Sequence, residues 1–526
     1  MLFTSYTFIA FLCVMLAAYF LTPKRAQWIT LLVGSYVFYA FAGAWYFVFI
    51  LFTTVSAYII SRLLHRVKQK EDEYISSVKD TLGKEERKAY RARSKKKRFN
   101  ILLWGLVLNF GVLAVLKYTA FAVTNANNIL ALFGKEAISV PSLLLPMGIS
   151  FYTFQTCGYL IDVYRAKVEP EKNIAKLALF VSFFPQIVQG PISRFGELHE
   201  QLVAPHKFDL KNFTFGVQRI LWGFFKKLVI ADRVLVAMNT MLDAPENYKG
   251  AYVLLLVILY SIQIYADFTG GIDITIGIAE AMGIRLAENF DRPFSSKSTK
   301  EYWRRWHITM GSWFRDYIFV PISVTRPMLR LNKALTPKCG RLVASKVVAY
   351  TASTITWLAT GIWHGAGWNF IVWGLLNCLV IIVSESFEPL YKKFHDKFPR
   401  LTSSSAYGVF MSVRTFLLMS VIRSLDCYRN VPLTFSMWAS MLTFKGIGDI
   451  FSGGALELGL GVSDFLIIFI AIAVVFVVSK ISDIRENLYQ RPVLSAALCV
   501  TLFISIIMFG AYSVGYDASQ FIYNQF

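Results

Sequence analysis

Acidic side chains are scarce in this chain. Its 526 residues hold 33 Asp and Glu against 54 Lys and Arg, a formal net charge of +21. Cysteine is scarcer still: Cys13, Cys157, Cys339, Cys378, Cys427 and Cys499 are dispersed, with no C-x-x-C pair. That pattern suggests neither a disulfide framework nor a metal site, and the thiols read as small buried apolar groups. There is no P-loop and no G-x-G-x-x-G stretch, so no nucleotide fold is inferred. No internal repeat is evident, which weighs against an inverted-repeat transporter.

What is abundant is apolar and aromatic surface. The chain is 56% hydrophobic and 16% aromatic, with a mean hydropathy of +0.50. Long apolar runs recur from end to end, as expected of a polytopic all-α membrane protein and not of a soluble enzyme with one anchor. The basic residues sit mostly in short loops between the runs. Positive-inside topology explains them more simply than nucleic-acid binding, and no nucleic-acid partner is expected. The run 2–21 lacks a basic leader and is followed by Lys24 and Arg25. It reads as a first span with the N-terminus outside.

Taken in order, spans are expected over 28–64 (two helices turning near Gly43), 100–123, 141–163, 213–241, 251–282, 347–362, 369–383, 407–425, 465–478 and 493–512. The strongly basic segment 62–99 is expected to be a cytoplasmic loop, partly helical and partly mobile, that also touches anionic membrane lipid. Segments 285–305 and 325–346 are basic too, so 303–320 should not cross but re-enter or lie on the surface. Pro146 and Gly148 break a helix at depth, and Pro185, Gly190 and Pro191 mark a re-entrant element. Irregular backbone is tolerated there only where protein or a water-filled cavity satisfies it. By this count the C-terminal tail, 515–526, lies outside and the membrane domain is 1–514.

Ionisable side chains at membrane depth are functional hypotheses by default. Asp267 and Asp273 fall in one apolar run. They are structural acids hydrogen-bonding nearby groups, or the coupling sites of a transporter or flippase. Two histidines sit among tryptophans: His307 in Glu301-Tyr302-Trp303-Arg304-Arg305-Trp306-His307, and His364 in Gly361-Ile362-Trp363-His364-Gly365-Ala366-Gly367-Trp368. Each is a catalytic group or a buried histidine bonded to a carbonyl.

These motifs, with Trp313-Phe314-Arg315-Asp316-Tyr317, Pro146-Met147-Gly148, Phe184-Pro185-Gln186, Gly190-Pro191-Ile192 and Tyr265-Ala266-Asp267-Phe268, resemble the membrane-bound O-acyltransferase (MBOAT) family. The bacterial alginate and peptidoglycan O-acetylation subunits are the most similar branch. The resemblance covers most of the chain, with departures at Gly271 and Asn524. It implies about 11 or 12 spanning helices forming a funnel or tunnel. It also implies an acyltransferase with His364 catalytic and His307 a second functional histidine. Acetyl-CoA is the implied cytoplasmic donor, with no bound cofactor. An extracytoplasmic SGNH-type transferase is the implied partner that delivers the acetyl group to a polysaccharide, and a bacterial plasma membrane is the implied location.

The residues allow this chemistry. A neutral imidazole of pKa near ~6.5 suits removal of a hydroxyl proton during attack on a thioester. Gly365 and Gly367 leave room beside His364, and Trp363 and Trp368 would form its wall. Arg304 and Arg305, with Trp303, are suited to a phosphorylated donor, or serve only as positive-inside anchors. Asp316 reads as a structural polar residue. Tyr523, in the terminal Phe521-Ile522-Tyr523-Asn524-Gln525-Phe526, resembles the tyrosine proposed to carry the acyl group in bacterial MBOAT systems. A phenyl ester keeps more transfer potential than a sugar ester, because a phenol is far more acidic than an alkanol. A D-alanyl transferase fed by a carrier-protein thioester is the alternative within the family.

Overall fold

The computed structural model describes residues 3–78, 81 and 83–511. The apolar runs become helices, because backbone in hydrocarbon must satisfy its own N–H and C=O groups. Among the described residues there is no strand, and the one ladder contact is an antiparallel bridge between Phe290 and Trp306. The chain divides into two compact units: Met1–Phe213 with Ile278–Leu286, and Thr214–Gly277 with Ala287–Phe526.

The first unit packs α1 (Tyr6–Leu21), α2 (Gln27–Ala40), α3 (Phe47–Ser77), α4 (Lys84–Leu132), α5 (Ile149–Tyr164), α6 (Ile174–Ser182) and α7 (Phe195–Val203). Much of the basic segment 62–99 is helical, as expected, and forms the ends of α3 and α4. Its Lys, Arg, Glu and Ala are good helix formers, and Tyr74 stacks on Tyr90 at 4.2 Å across the two ends. The break before α5 is enforced at Gly148. Its φ is +71°, and a Cβ there would lie 2.1 Å from the Ile187 carbonyl oxygen.

The second unit begins with α8 (Leu210–Phe224). A π-helical turn, Phe225–Ala231, joins it to α9 (Asp232–Asp243). Then come α10 (Ala251–Ala281), the short α11 (Thr299–Arg305) and α12 (Ile308–Phe314), α13 (Arg326–His364), α14 (Trp368–Ser386), α15 (Ser405–Tyr428), α16 (Val462–Lys480) and α17 (Pro492–Phe509), with shorter helices between them. Within this unit α8 and α10 cross antiparallel at backbone distance. A Cβ on Gly223 would sit 2.5 Å from Gly270 O, and one on Gly277 would sit 2.7 Å from Gly216 O. Small residues of this kind let helices approach closely where lipid offers no hydrophobic drive.

The same crossing holds buried charge. Lys226 and Lys227 are adjacent on the π turn and so point in different directions around it, while Asp267 and Asp273 on α10 are about 120° apart around its axis. Lys227 Nζ meets Asp267 at 2.6 Å and Asp232 at 2.7 Å. Lys226 Nζ meets Asp273 at 2.5 Å, and Arg219 Nε meets the same carboxylate at 3.0 Å.

Among the described residues, eight helices are long and apolar enough to cross a membrane: Ala44–Ser77, Lys84–Leu132, Ala251–Ala281, Arg326–His364, Trp368–Ser386, Ser405–Tyr428, Val462–Lys480 and Pro492–Phe509. The other expected spans are shorter or interrupted helices. α1, α2 and α5 have 16, 14 and 16 residues, and at ~1.5 Å per residue they cover only ~21–24 Å of a ~30 Å core. The run 213–241 is divided by the π turn. Segment 325–346, expected to be basic and cytoplasmic, is mostly the first half of α13, which bends at Gly340 with φ +81°.

Candidate active site

His307 occupies a corner between two short helices. Ser298 starts α11, its hydroxyl accepting from Glu301 N at 3.2 Å. Trp306 is extended, and His307 turns the chain at φ 48° and ψ 53°. That left-handed conformation costs a residue with a Cβ about 1–2 kcal/mol. The corner is held by backbone bonds from Asp291 N to Arg305 O at 2.9 Å and from Ile308 N to Asn289 O at 3.0 Å.

Asn289 fixes the ring as well. Its Oδ1 accepts from Thr309 N at 3.1 Å and from Thr309 Oγ1 at 2.9 Å, and lies 3.2 Å from His307 Nδ1. A backbone amide can only donate, so this asparagine atom is the oxygen and Nδ1 of His307 carries the proton. In the neutral ring Nε2 is then the acceptor. His307 is 1% exposed. Burial, and secondarily the Arg423 guanidinium, push its pKa down to about 3. Arg423 lies 4.2 Å from the Trp306 ring centre and donates to Tyr302 Oη at 3.2 Å.

His364 is the last residue of α13. The Trp363 indole lies beside both histidines, 4.9 Å from the His364 ring centre and 6.1 Å from that of His307. On its other side His364 meets Trp373 at 4.6 Å. Trp373 continues to Trp303 at 5.6 Å, and Trp303 to Trp357 at 4.9 Å. Trp363 of the expected wall is thus joined by Trp373 of α14, and Trp368 is 57% exposed. The space beside the glycines is also filled. A Cβ on Gly365 would lie 2.0 Å from the Phe370 ring, and one on Gly367 would lie 2.4 Å from Asn369 Oδ1.

A cavity of about 310 Å³ adjoins this aromatic group, lined by Lys300, Trp303, Arg304, Arg315, Thr356 and Thr360 among others. Thr360 is one helical turn before His364. The two expected arginines separate here. Arg304 faces the cavity, while Arg305 folds back on Glu301 at 2.7 Å. Arg315, in the cavity wall, pairs with Asp316 at 2.9 Å. Asp267 and Asp273 are engaged in the ion pairs of the α8–α10 crossing, away from this group of lining residues. Tyr523 lies outside the described residues.

Sequence reasoning missed Asn289, Trp373 and Arg423. An asparagine in a basic loop and a tryptophan in an apolar helix carry no signal of their own. Arg423 did carry one, as a cation inside an apolar run.

Both histidines fall within the residues, 171–335 and 338–427, that match the model described as "MBOAT, membrane-bound O-acyltransferase family". A protein of Pseudomonas aeruginosa named "Probable alginate O-acetylase AlgI" is 31% identical over 84% of this chain and 75% of its own length. The chain belongs to the membrane-bound O-acyltransferase family. It is accordingly an acyltransferase and a multi-pass membrane protein. Two further relatives show the breadth of this MBOAT branch. The "Peptidoglycan O-acetyltransferase" of Helicobacter pylori is 29% identical over 76% of this chain and 73% of its own. The "Teichoic acid D-alanyltransferase" of Bacillus subtilis is 28% identical over 48% of this chain and 62% of its own.

Proposed function

We propose that this protein is a transmembrane O-acetyltransferase. It takes an acetyl group from a cytoplasmic thioester, acetyl-CoA, and passes it outward for O-acetylation of an extracytoplasmic polysaccharide in the bacterial plasma membrane system. The names of the alginate and peptidoglycan relatives support the acetyl group and the polymer class. The observation that carries the site assignment is the single indole, Trp363, packed against both His307 and His364 beside the cavity that holds Arg304.

His364 is the base. It removes the proton from an attacking hydroxyl as the oxygen bonds to the thioester carbon. The tetrahedral adduct then expels the thiolate, which takes up the proton from the imidazolium. His307, with a pKa of about 3, is a poor proton acceptor at working pH. Its part is to present a neutral ring of fixed tautomer. Lys300, Arg304 and Arg315 supply charge for the donor's phosphates. Tyr523 is the proposed acyl carrier, on sequence grounds alone, and an SGNH-type enzyme outside completes the transfer.

Mass spectrometry of the purified protein incubated with acetyl-CoA tests this. Acetyl on Tyr523 in the wild type and none in His364→Ala is the expected result. Donor turnover without label on Tyr523 would discard the relay. No turnover with acetyl-CoA, but turnover with a carrier-protein thioester, would favour the D-alanyl reading.

A further inference from the structure

Two cavities of the second unit share a wall. One, of about 310 Å³, is lined by Arg219, Lys226, Asp273, Glu288, Asp291 and Arg292 together with aromatic rings. The other, of about 130 Å³, is apolar, with Ile230, Ile262, Ile472, Val475 and Phe476 in its wall. Lys226, Tyr265, Arg292 and Ser479 line both. The result is one cleft with a polar head and an apolar arm, and the arm runs along α16, a helix apolar enough to cross the membrane.

The charges in the head are balanced. Arg219 bonds Asp273 at 3.0 Å and grips Glu288 with two bonds of 2.6 Å. Lys226 bonds Asp273 at 2.5 Å and Thr269 at 2.8 Å, and Arg292 bonds Asp291 at 3.1 Å. Glu288, Asp291 and Arg292 are 59%, 53% and 49% exposed, so both signs reach the open part of the cleft. Neither a free anion nor an anionic lipid matches such a wall, because each cation already stands beside a carboxylate. A zwitterion with a tail matches both parts.

We propose that this cleft binds an aminophospholipid. Its phosphate lies toward Arg292, its ammonium toward Glu288 and Asp291, and one acyl chain lies along Ile472, Val475 and Phe476. The site has a consequence for the histidine corner. Phe290 and Phe294 belong to the cleft walls, and they pack on Trp306 at 5.0 and 6.2 Å. A bound lipid would brace the residue that precedes His307.

Native mass spectrometry of the full chain in mild detergent tests the proposal. Phosphatidylethanolamine and phosphatidylglycerol are supplied in equal amounts, with inorganic phosphate in a separate run. The expected result is retention of phosphatidylethanolamine roughly tenfold over phosphatidylglycerol, the weight of one charge-assisted hydrogen bond. Val475→Trp, which fills the apolar arm without touching an ion pair, should lower that retention by roughly tenfold. Arg292→Glu, which removes the cation facing the phosphate, should lower it by a similar factor. Monodisperse elution reports folding, and if Arg292→Glu fails it, Val475→Trp decides alone. Equal retention of the two lipids would overturn the proposal. So would unchanged retention in Val475→Trp, or capture of phosphate without lipid.

Discussion

Oδ1 of Asn289 lies 3.2 Å from Nδ1 of His307, and the Thr309 amide donating to the same oxygen at 3.1 Å identifies that atom as an acceptor. One side chain thus sets both the tautomer of the buried histidine and the start of the helix that follows it. Replacing Asn289 by Leu keeps its approximate size and removes the acceptor. Turnover should fall by roughly tenfold to a hundredfold, the range typical of a lost orienting partner. Donor KM should change little, since Asn289 is not among the residues lining the donor cavity. Steady-state kinetics that show the loss in KM and not in kcat would contradict this role.

A second expectation concerns pH. His307 has a folded-state pKa of about 3, below its ordinary 6.5. Between those values the unfolded chain binds a proton that the folded chain does not, so stability rises with pH. The contribution is fully present above about pH 6.5 and is lost as pH falls toward 3. From pH 6.5 to 4.5 the loss is about 2–3 kcal/mol. Thermal unfolding in detergent should show a shallower acid slope in His307→Gln than in the wild type. Parallel slopes would place the proton uptake elsewhere.

The neighbouring arginines make a third test. Arg304 lines the 310 Å³ cavity and Arg305 is paired with Glu301. Arg304→Ala should raise the KM for the acyl donor by roughly tenfold, one charge-assisted hydrogen bond, with kcat nearly kept. Arg305→Ala should shift it by less than about threefold, the scale of an exposed i,i+4 pair. Equal effects from both would mean that the cavity is not where the donor's charge sits.

Much of the fold was legible because hydrocarbon leaves few options. Most long apolar runs became helix, although 141–163 did so only from Ile149 onward. Some of the expected spans are shorter or interrupted helices, as in α2 and at the π turn. The 326–339 stretch was read only for its charge, although its Leu, Lys, Arg and Ala also favour helix. His307 and His364 stood out as rare ionisable groups beside tryptophans. That one indole would touch both depends on where α13 stops, and no spacing rule reports that. Lys226 and Lys227 were readable in principle. Two lysines in one apolar run and two aspartates in the next are each costly alone and far cheaper together.

Those two lysines also settle how α8 and α10 are aligned. Gly216 and Gly223 are seven residues apart, and so are Gly270 and Gly277 that face them. Steric fit alone would therefore allow the helices to slide by seven residues and still mesh, Gly216 then meeting Gly270. Such a slip would carry Lys227 from Asp267 to the level of Tyr260, leaving the buried Asp267 carboxylate without that ammonium. The glycines make contact possible at more than one setting, and the ion pairs leave a single setting affordable.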